Sequence, residues 1–595
     1  MAVHTSSTAS TAHVLEDIGG DIHGPMPGFI RKYFDRFVSH SPVATAESHP
    51  PCSVPLSPDS FPEKFSILSQ EELVGARCTW HTANVTSSHI GTTHLLTPSH
   101  KFDPLAKHYW LDVQVVGQVC RGSSAGYQAG LIELCGHAQK VFASQPTRLF
   151  LHAFYVHELV VELWVFDRSG LYSSEVLKLG ADDAQITSIL RSYRLMTDQE
   201  LGINDVVKHD DGGNFITLGN GSAPSPTRLY LQEQPVSLRQ ALVGMGTVCY
   251  KARSPDSDRW DFVVKFKWRW ARSQREDEVL LLAGEKHVSN VASLVYYKES
   301  VSTADLRSGL RWGPYRRLVT TAEPSTAPQE PGREKGSPDR PRGQKLGSDL
   351  KGIAAATEET EMSLRNRIFT CIVLSPAGRP LYTFKTALEL LQVFRDAVTG
   401  HRSLLQSAGL LHRDVSMGNV IIVDHDQASD APRGILIDLD SAARLADIPQ
   451  RSGEIIGTRP FMAIGVLEGR PHTYRHDLEA FLYLFLYTII ANRSDSTPPA
   501  SKLREWGRRD VAFDDLAAVK MSDMQEDGFA SILDEFPREF DSLRSVAGSM
   551  QQVLFAPDVD GSLWTGTDSS PAAVDKLYDG MIGVLESGIS SVSGV

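Results

Sequence analysis

The chain has 595 residues, of which 41% are hydrophobic and 22% charged, and it carries a net charge of -13. This is ordinary globular composition, over a length that suggests about two to four domains. The negative balance argues against a nucleic-acid backbone or an anionic membrane as the main partner, because both are polyanions.

The N-terminal 60 residues are rich in Ser, Thr, Pro and His and read as a disordered segment; Met1 to Gly20 lacks the apolar core of a signal peptide. Residues 61–235 alternate strand and helix patterns and form an α/β accessory unit. Tyr109–Val116 reads as a strand and Leu131–Phe142 as a helix. Leu149–Val156 and Leu159–Phe166 read as a hairpin that ends in Asp167-Arg168-Ser169-Gly170. The unit offers no acid pair, metal cluster or nucleophile. Gln118 and Cys120 stand where a nuclease-like Glu-x-Lys would fall, so a structural or targeting role is expected.

Residues 236–375 open with Val243-Gly244-Met245-Gly246-Thr247-Val248, where two glycines permit close approach of the backbone to a ligand. The β-branched run Phe262-Val263-Val264 delivers Lys265, and Arg272–Gly284 has a helical pattern offering Glu276 and Glu278. Glu278 is favoured because it directly precedes the apolar residues Val279, Leu280 and Leu282. Residues 320–360 cannot bury a core and read as a disordered insertion, after which Ile368–Leu374 is a strand.

In residues 376–560, Leu391, Phe394, Val398 and Leu405 recur at helical spacing. They lead into His412-Arg413-Asp414-Val415-Ser416-Met417-Gly418-Asn419, and the run Ile435-Leu436-Ile437 then delivers Asp438. One carboxylate at an acceptor hydroxyl, with an Asn and a second carboxylate on magnesium, is what phosphoryl transfer from ATP requires. Downstream lie Gly457-Thr458-Arg459-Pro460-Phe461-Met462-Ala463 and a helix opened by His476-Asp477-Leu478-Glu479. Its run Phe481–Ala491 is too short to span a bilayer. Residues 561–595 read as a C-terminal tail. The six scattered cysteines form no Cys-x-x-Cys pair, which favours reduced thiols in a cytoplasmic or nuclear protein.

Together these motifs resemble the fungal-type protein kinase family over about residues 235–555, and Phe166–Gly170 resembles what precedes the kinase core there. The resemblance implies an α+β, two-lobed protein kinase-like fold behind the small α/β unit. It implies ATP and Mg2+ as cofactors and a protein substrate, with transfer to Ser/Thr hydroxyls. Asp414 is the implied base, and Asn419 and Asp438 the metal ligands. Gly244, Gly246, Lys265 and Glu278 would hold the nucleotide phosphates, with adenine near Val373 to Ser375. Thr458 would brace Asp414 and Ser416. Three departures stand out: Ser416 replaces the loop Lys, Asp440 replaces the Gly after the metal motif, and Ile464-Gly465 removes the Glu of Ala-Pro-Glu unless Glu468 substitutes. They leave two other readings open, a catalytically weak kinase-fold scaffold and a small-molecule phosphotransferase of the aminoglycoside or choline kinase type. No partner beyond the substrate and no oligomeric state follows from the motifs.

Overall fold

The computed structural model describes residues 14, 18, 21–38, 61–83, 91–99, 109–120, 126–219, 227–312, 365–424, 431–448, 455–555 and 563–594. The expected insertion at 320–360 lies outside these residues. Two compact units divide the chain, and their division does not fall at residue 235: residues 1–258, 264–273 and 298–371 form the first unit, and residues 259–263, 274–297 and 372–595 the second.

The first unit holds one whole sheet and part of another. One runs in the order Ile22–His23, Gly170–Ser173, Val160–Asp167, Phe150–His157, Val115–Cys120, Gly91–Pro98 and Cys78–Ala83. Val115–Cys120 and Phe150–His157 are parallel, and the helix Gly126–Ser144 makes the crossover between them. That helix buries Leu131, Leu134, Ala138 and Val141 against one face of the sheet. The helices Phe29–Val38, Phe61–Gln70 and Asp183–Leu195 contribute Phe29, Phe34, Phe65, Ile186 and Ile189 to the core on the other. The expected strand at Tyr109–Val116 begins later, at Val115, behind a short 3-10 turn at Tyr109–Leu111.

The helix Phe29–Val38 lies inside the segment expected to be disordered. Its Phe29, Ile30, Tyr33, Phe34 and Phe37 recur at helical spacing and bury one stripe, a local signal that the polar composition of the surrounding 60 residues dilutes. The second sheet runs Lys208–Asp210, Gly213–Thr217, Arg228–Leu231, Val248–Arg253, Phe262–Trp270, Arg367–Ser375 and Ser293–Ser302.

The second unit is mainly helical. Ala387–Ala408 is capped by Thr386, which accepts the Glu389 N–H, and ends on Gly409 at φ +64°, a left-handed position suited to glycine. Tyr474–Ala491 is buried on all sides, with Leu478, Phe481, Leu482, Phe485, Leu486 and Ile489 inaccessible to solvent. A helix apolar all round belongs at the centre of a core. The residues expected as a tail form the 23-residue helix Pro571–Ser593, which buries Tyr578, Met581 and Leu585 in that same core. Small residues (Gly580, Gly583, Gly588) and Ser-rich flanks hide the apolar stripe from a reading by composition. Among the described residues no helix is long and apolar enough to cross a membrane.

Candidate active site

The loop His412–Asn419 is built on short strands of the second unit. Leu410–Leu411 pairs with Ala443–Arg444, and Val420–Ile422 pairs with Gly434–Leu436, so the polar segment between them is held at both ends. The Ile437 N–H donates to Asn419 O at 3.0 Å, and the His412 ring donates through Nε2 to Ile437 O at 3.0 Å. These bonds place Asp438 directly beside the loop. Arg413 and Asp438 both sit in the left-handed region, at φ +65° and +64°. Strained backbone of this kind persists where surrounding bonds over-determine it.

Asp477 supplies much of that determination. Its Oδ2 accepts the His412 N–H at 3.1 Å and its Oδ1 the Arg413 N–H at 3.1 Å. His401 and His472 approach the same carboxylate through Nε2 at 2.8 and 2.9 Å. Burial alone would push Asp477 up, yet His472 and His401 outweigh it and hold the carboxyl well below the usual range. Asp477 therefore remains a carboxylate, and it ties the loop to the most buried helix.

Asp414 is aimed by two donors. Thr458 Oγ1 donates to its Oδ1 at 2.7 Å, and Asn419 Nδ2 donates to its backbone O at 2.8 Å and to Oδ2 at 3.3 Å. Among the described residues Thr458 makes no bond to Ser416, so the brace has two members where three were expected. Gly457, at φ +128°, lies where a Cβ would come within 3.2 Å of Arg413 O; its glycine lets the Thr458 segment close on the loop.

Carboxylate oxygens of Glu276, Asp438 and Asp440 lie within 4.8 Å of one another. Hard oxygen donors at this spacing fit a magnesium ion. Glu276 is buried in the helix Glu276–Glu285, whereas the side chain of Glu278 is 59% exposed and lies 3.5 Å from Arg275. The structure thus turns Glu276, and not the expected Glu278, toward the core and the Asp438 and Asp440 carboxylates. Glu276 shares the buried stripe of Val279, Leu280 and Ala283, three, four and seven residues on, and Glu278 falls out of that phase.

In the first unit, Gly244 and Gly246 lie on the returning limb of a hairpin in which Ser237–Leu238 pairs with Val248–Cys249. The Gly244 N–H donates to Arg168 O at 2.9 Å, and a Cβ on Gly246 would meet the Arg168 guanidinium at 2.7 Å. The second glycine is thus required by Arg168, and the first by its backbone, because Gly244 sits at φ +121° although a Cβ there would meet open space. Lys265 is buried in the strand Phe262–Trp270. In the second unit Val373 is buried near the end of the strand Arg367–Ser375, and Ser375 Oγ donates to Asp261 O at 3.2 Å.

The missing Glu of Ala-Pro-Glu is replaced, though not by Glu468, which pairs at the surface with Arg470. Glu479 accepts the Ile464 N–H at 2.7 Å and the Tyr483 hydroxyl at 2.7 Å, and it pairs with buried Arg475 at 2.7 Å. Lys520 adds bonds to Pro460 O and Met462 O at 2.8 and 2.7 Å.

A His-Arg-Asp loop braced by a buried Asp, with an Asn and a second Asp beside its carboxylate, defines a phosphotransferase of the protein-kinase type. The chain belongs to the fungal protein kinase family, whose model matches residues 96–489. ATP and a divalent metal are the general requirements of protein kinases. Among solved structures the chain is similar to vaccinia related kinase 3, at 12% identity and a TM-score of 0.32, over 64% of this chain and 91% of that one. None of the curated proteins compared with the chain matches it.

Proposed function

We propose that the protein transfers the γ-phosphate of ATP to Ser/Thr hydroxyls of protein substrates. The observation that carries the reading is the 2.7 Å bond from Thr458 to Asp414, which fixes the carboxylate from the side of the Gly457–Ala463 segment. Held this way, Asp414 accepts the acceptor hydroxyl's hydrogen bond and takes its proton as transfer proceeds. Magnesium, when bound, neutralises phosphate charge; Asp438 and Asn419 are its proposed ligands, with Glu276 and Asp440 adjacent. Gly244, Gly246 and Lys265 are proposed to receive the phosphates, and the backbone from Val373 to Ser375 the adenine.

A scaffold reading draws on Ser416, which offers the catalytic loop a hydroxyl where a cation is usual. A small-molecule kinase would have no use for the Pro460–Met462 platform that Lys520 ties down. Incubation with labelled ATP, magnesium and a generic protein substrate, beside Asp414→Asn, tests the proposal. Label on Ser and Thr from the wild type alone is expected. Equal labelling by the variant, or label only on tyrosine or a small metabolite, overturns it.

A further inference from the structure

The geometry points to Tyr578, on the C-terminal helix, as a positioning residue for the catalytic loop, acting through His401 and Asp477. This rests on the kinase reading of Asp414. Tyr578 lies beyond residue 489, where the family match ends, so it adds to the matched core. Its hydroxyl is 2.7 Å from His401 Nδ1, and His401 Nε2 is 2.8 Å from Asp477 Oδ2. Tyr578 and His401 are inaccessible to solvent, and Asp477 is 1% exposed.

Donor and acceptor roles follow from the ends of the chain. Asp477 is a carboxylate, which only accepts, so His401 must donate to it through Nε2. A neutral imidazole that donates through Nε2 presents a lone pair at Nδ1. The Tyr578 hydroxyl fills that position as donor; burial first, then the nearby charge of Asp477, holds the phenol well above its usual range. Tyr578 thereby satisfies the buried Nδ1 and fixes the His401 ring that donates to Asp477. Asp477 in turn receives the backbone N–H groups of His412 and Arg413, the two residues before Asp414. Without the hydroxyl, the buried Nδ1 lone pair is left unsatisfied and the ring loses one of its two anchors, which loosens the bonds that run through Asp477.

The helix carrying Tyr578 is fastened to the same element as His401. Arg402 pairs with Asp575 at 2.8 Å and Asp579 at 2.7 Å, Gln406 donates to Asp575 at 2.7 Å, and Tyr474 stacks on Tyr578. These contacts hold the helix, and the hydroxyl alone carries the relay.

The test is Tyr578→Phe in the full chain, which keeps the ring and its stacking. Displacement of a catalytic group by a fraction of an ångström lowers kcat on the order of 10- to 100-fold. That loss is expected with KM for ATP within about twofold, since the nucleotide residues are untouched. Asp579→Asn, which breaks one exposed ion pair of the same helix, should leave kcat within about twofold. In 15N spectra, wild-type His401 should be the Nε2–H tautomer with a hydrogen-bonded Nδ1, and the variant should lose that bond at Nδ1, with the His412 and Arg413 amides shifted. Unchanged kcat in Tyr578→Phe, an equal loss in Asp579→Asn, or an Nδ1–H tautomer in the wild type would each overturn the relay. A wild type that transfers no phosphate removes the kinase reading instead, and the tautomer and amide signals still decide whether Tyr578 positions the loop. If the variant does not fold, the wild-type tautomer decides it.

Discussion

Replacing Glu479 by Gln tests whether the anchor of the Gly457–Ala463 segment has moved onto the central helix. Glu479 and Arg475 have side-chain exposures of 0% and 1%, so solvent barely screens their 2.7 Å pair. Burial alone would push Glu479 up, but Arg475 outweighs it and keeps the carboxyl below its usual range. Removing one partner of a pair buried this completely leaves an uncompensated charge and costs about 3–5 kcal/mol. For a domain of roughly 150–250 residues each kcal/mol moves the melting temperature by about 2–4 °C, so a fall of about 6–20 °C is expected. Glu468→Gln breaks a pair of similar length whose partners are 33% and 46% exposed, and such surface pairs contribute about 0–1 kcal/mol. Calorimetry on both variants makes the comparison. Adding Arg475→Met to Glu479→Gln should recover part of the loss, because the unpaired cation is the main penalty. If Glu479→Gln melted with Glu468→Gln, or if the double variant melted below the single one, the anchor assignment would be wrong.

Thr458→Val removes the donor to Asp414 and should lower kcat by at least about tenfold with ATP affinity retained; a normal rate would show that the bond orients nothing. Glu276→Gln should weaken the thermal stabilisation by magnesium-ATP while Glu278→Gln leaves it intact, and the reverse order would restore Glu278 to the site. Acid should loosen the first unit, where burial holds His23, His137 and His152 at about 3. The unfolded chain then binds more protons than the folded one between about pH 6.5 and 3. Each histidine therefore contributes stability in full above pH 6.5 and loses up to about 1.4 kcal/mol per pH unit below it. A melting temperature for that unit that does not change from pH 7 to pH 4.5 would contradict this.

What the sequence discloses about the site depends on how far apart its parts lie along the chain. His412, Arg413, Asp414 and Asn419 stand within eight consecutive residues, and strand pairing on both sides leaves the loop one place to go, so spacing alone conveys its geometry. Glu276 was legible too, through its phase with Val279, Leu280 and Ala283; adjacency to the apolar run pointed to Glu278, but a helix presents residues by rotation and not by order. His472 reaches Asp477 from only five positions away, but His401 lies 76 positions off and Tyr578, which acts through His401, 101, and only the packing of three helices against one another brings these two in. Gly400-His401-Arg402 is among the stretches that resemble the fungal-type kinases, but nothing local says which groups His401 would join.

The same separation explains why the loss of one motif residue did not reveal its replacement. An anchor for the platform needs a buried carboxylate within reach of the Ile464 N–H and a cation to balance it. Glu479 and Arg475 satisfy both from one helical turn, four residues apart, so the requirement could move from the platform to the helix beneath it. Ser416 is a different case, because the charge of a loop cation acts on the transferring phosphate and not on the fold. Packing therefore gives no reason to restore it, and the folded catalytic loop with its two donors to Asp414 is complete without one.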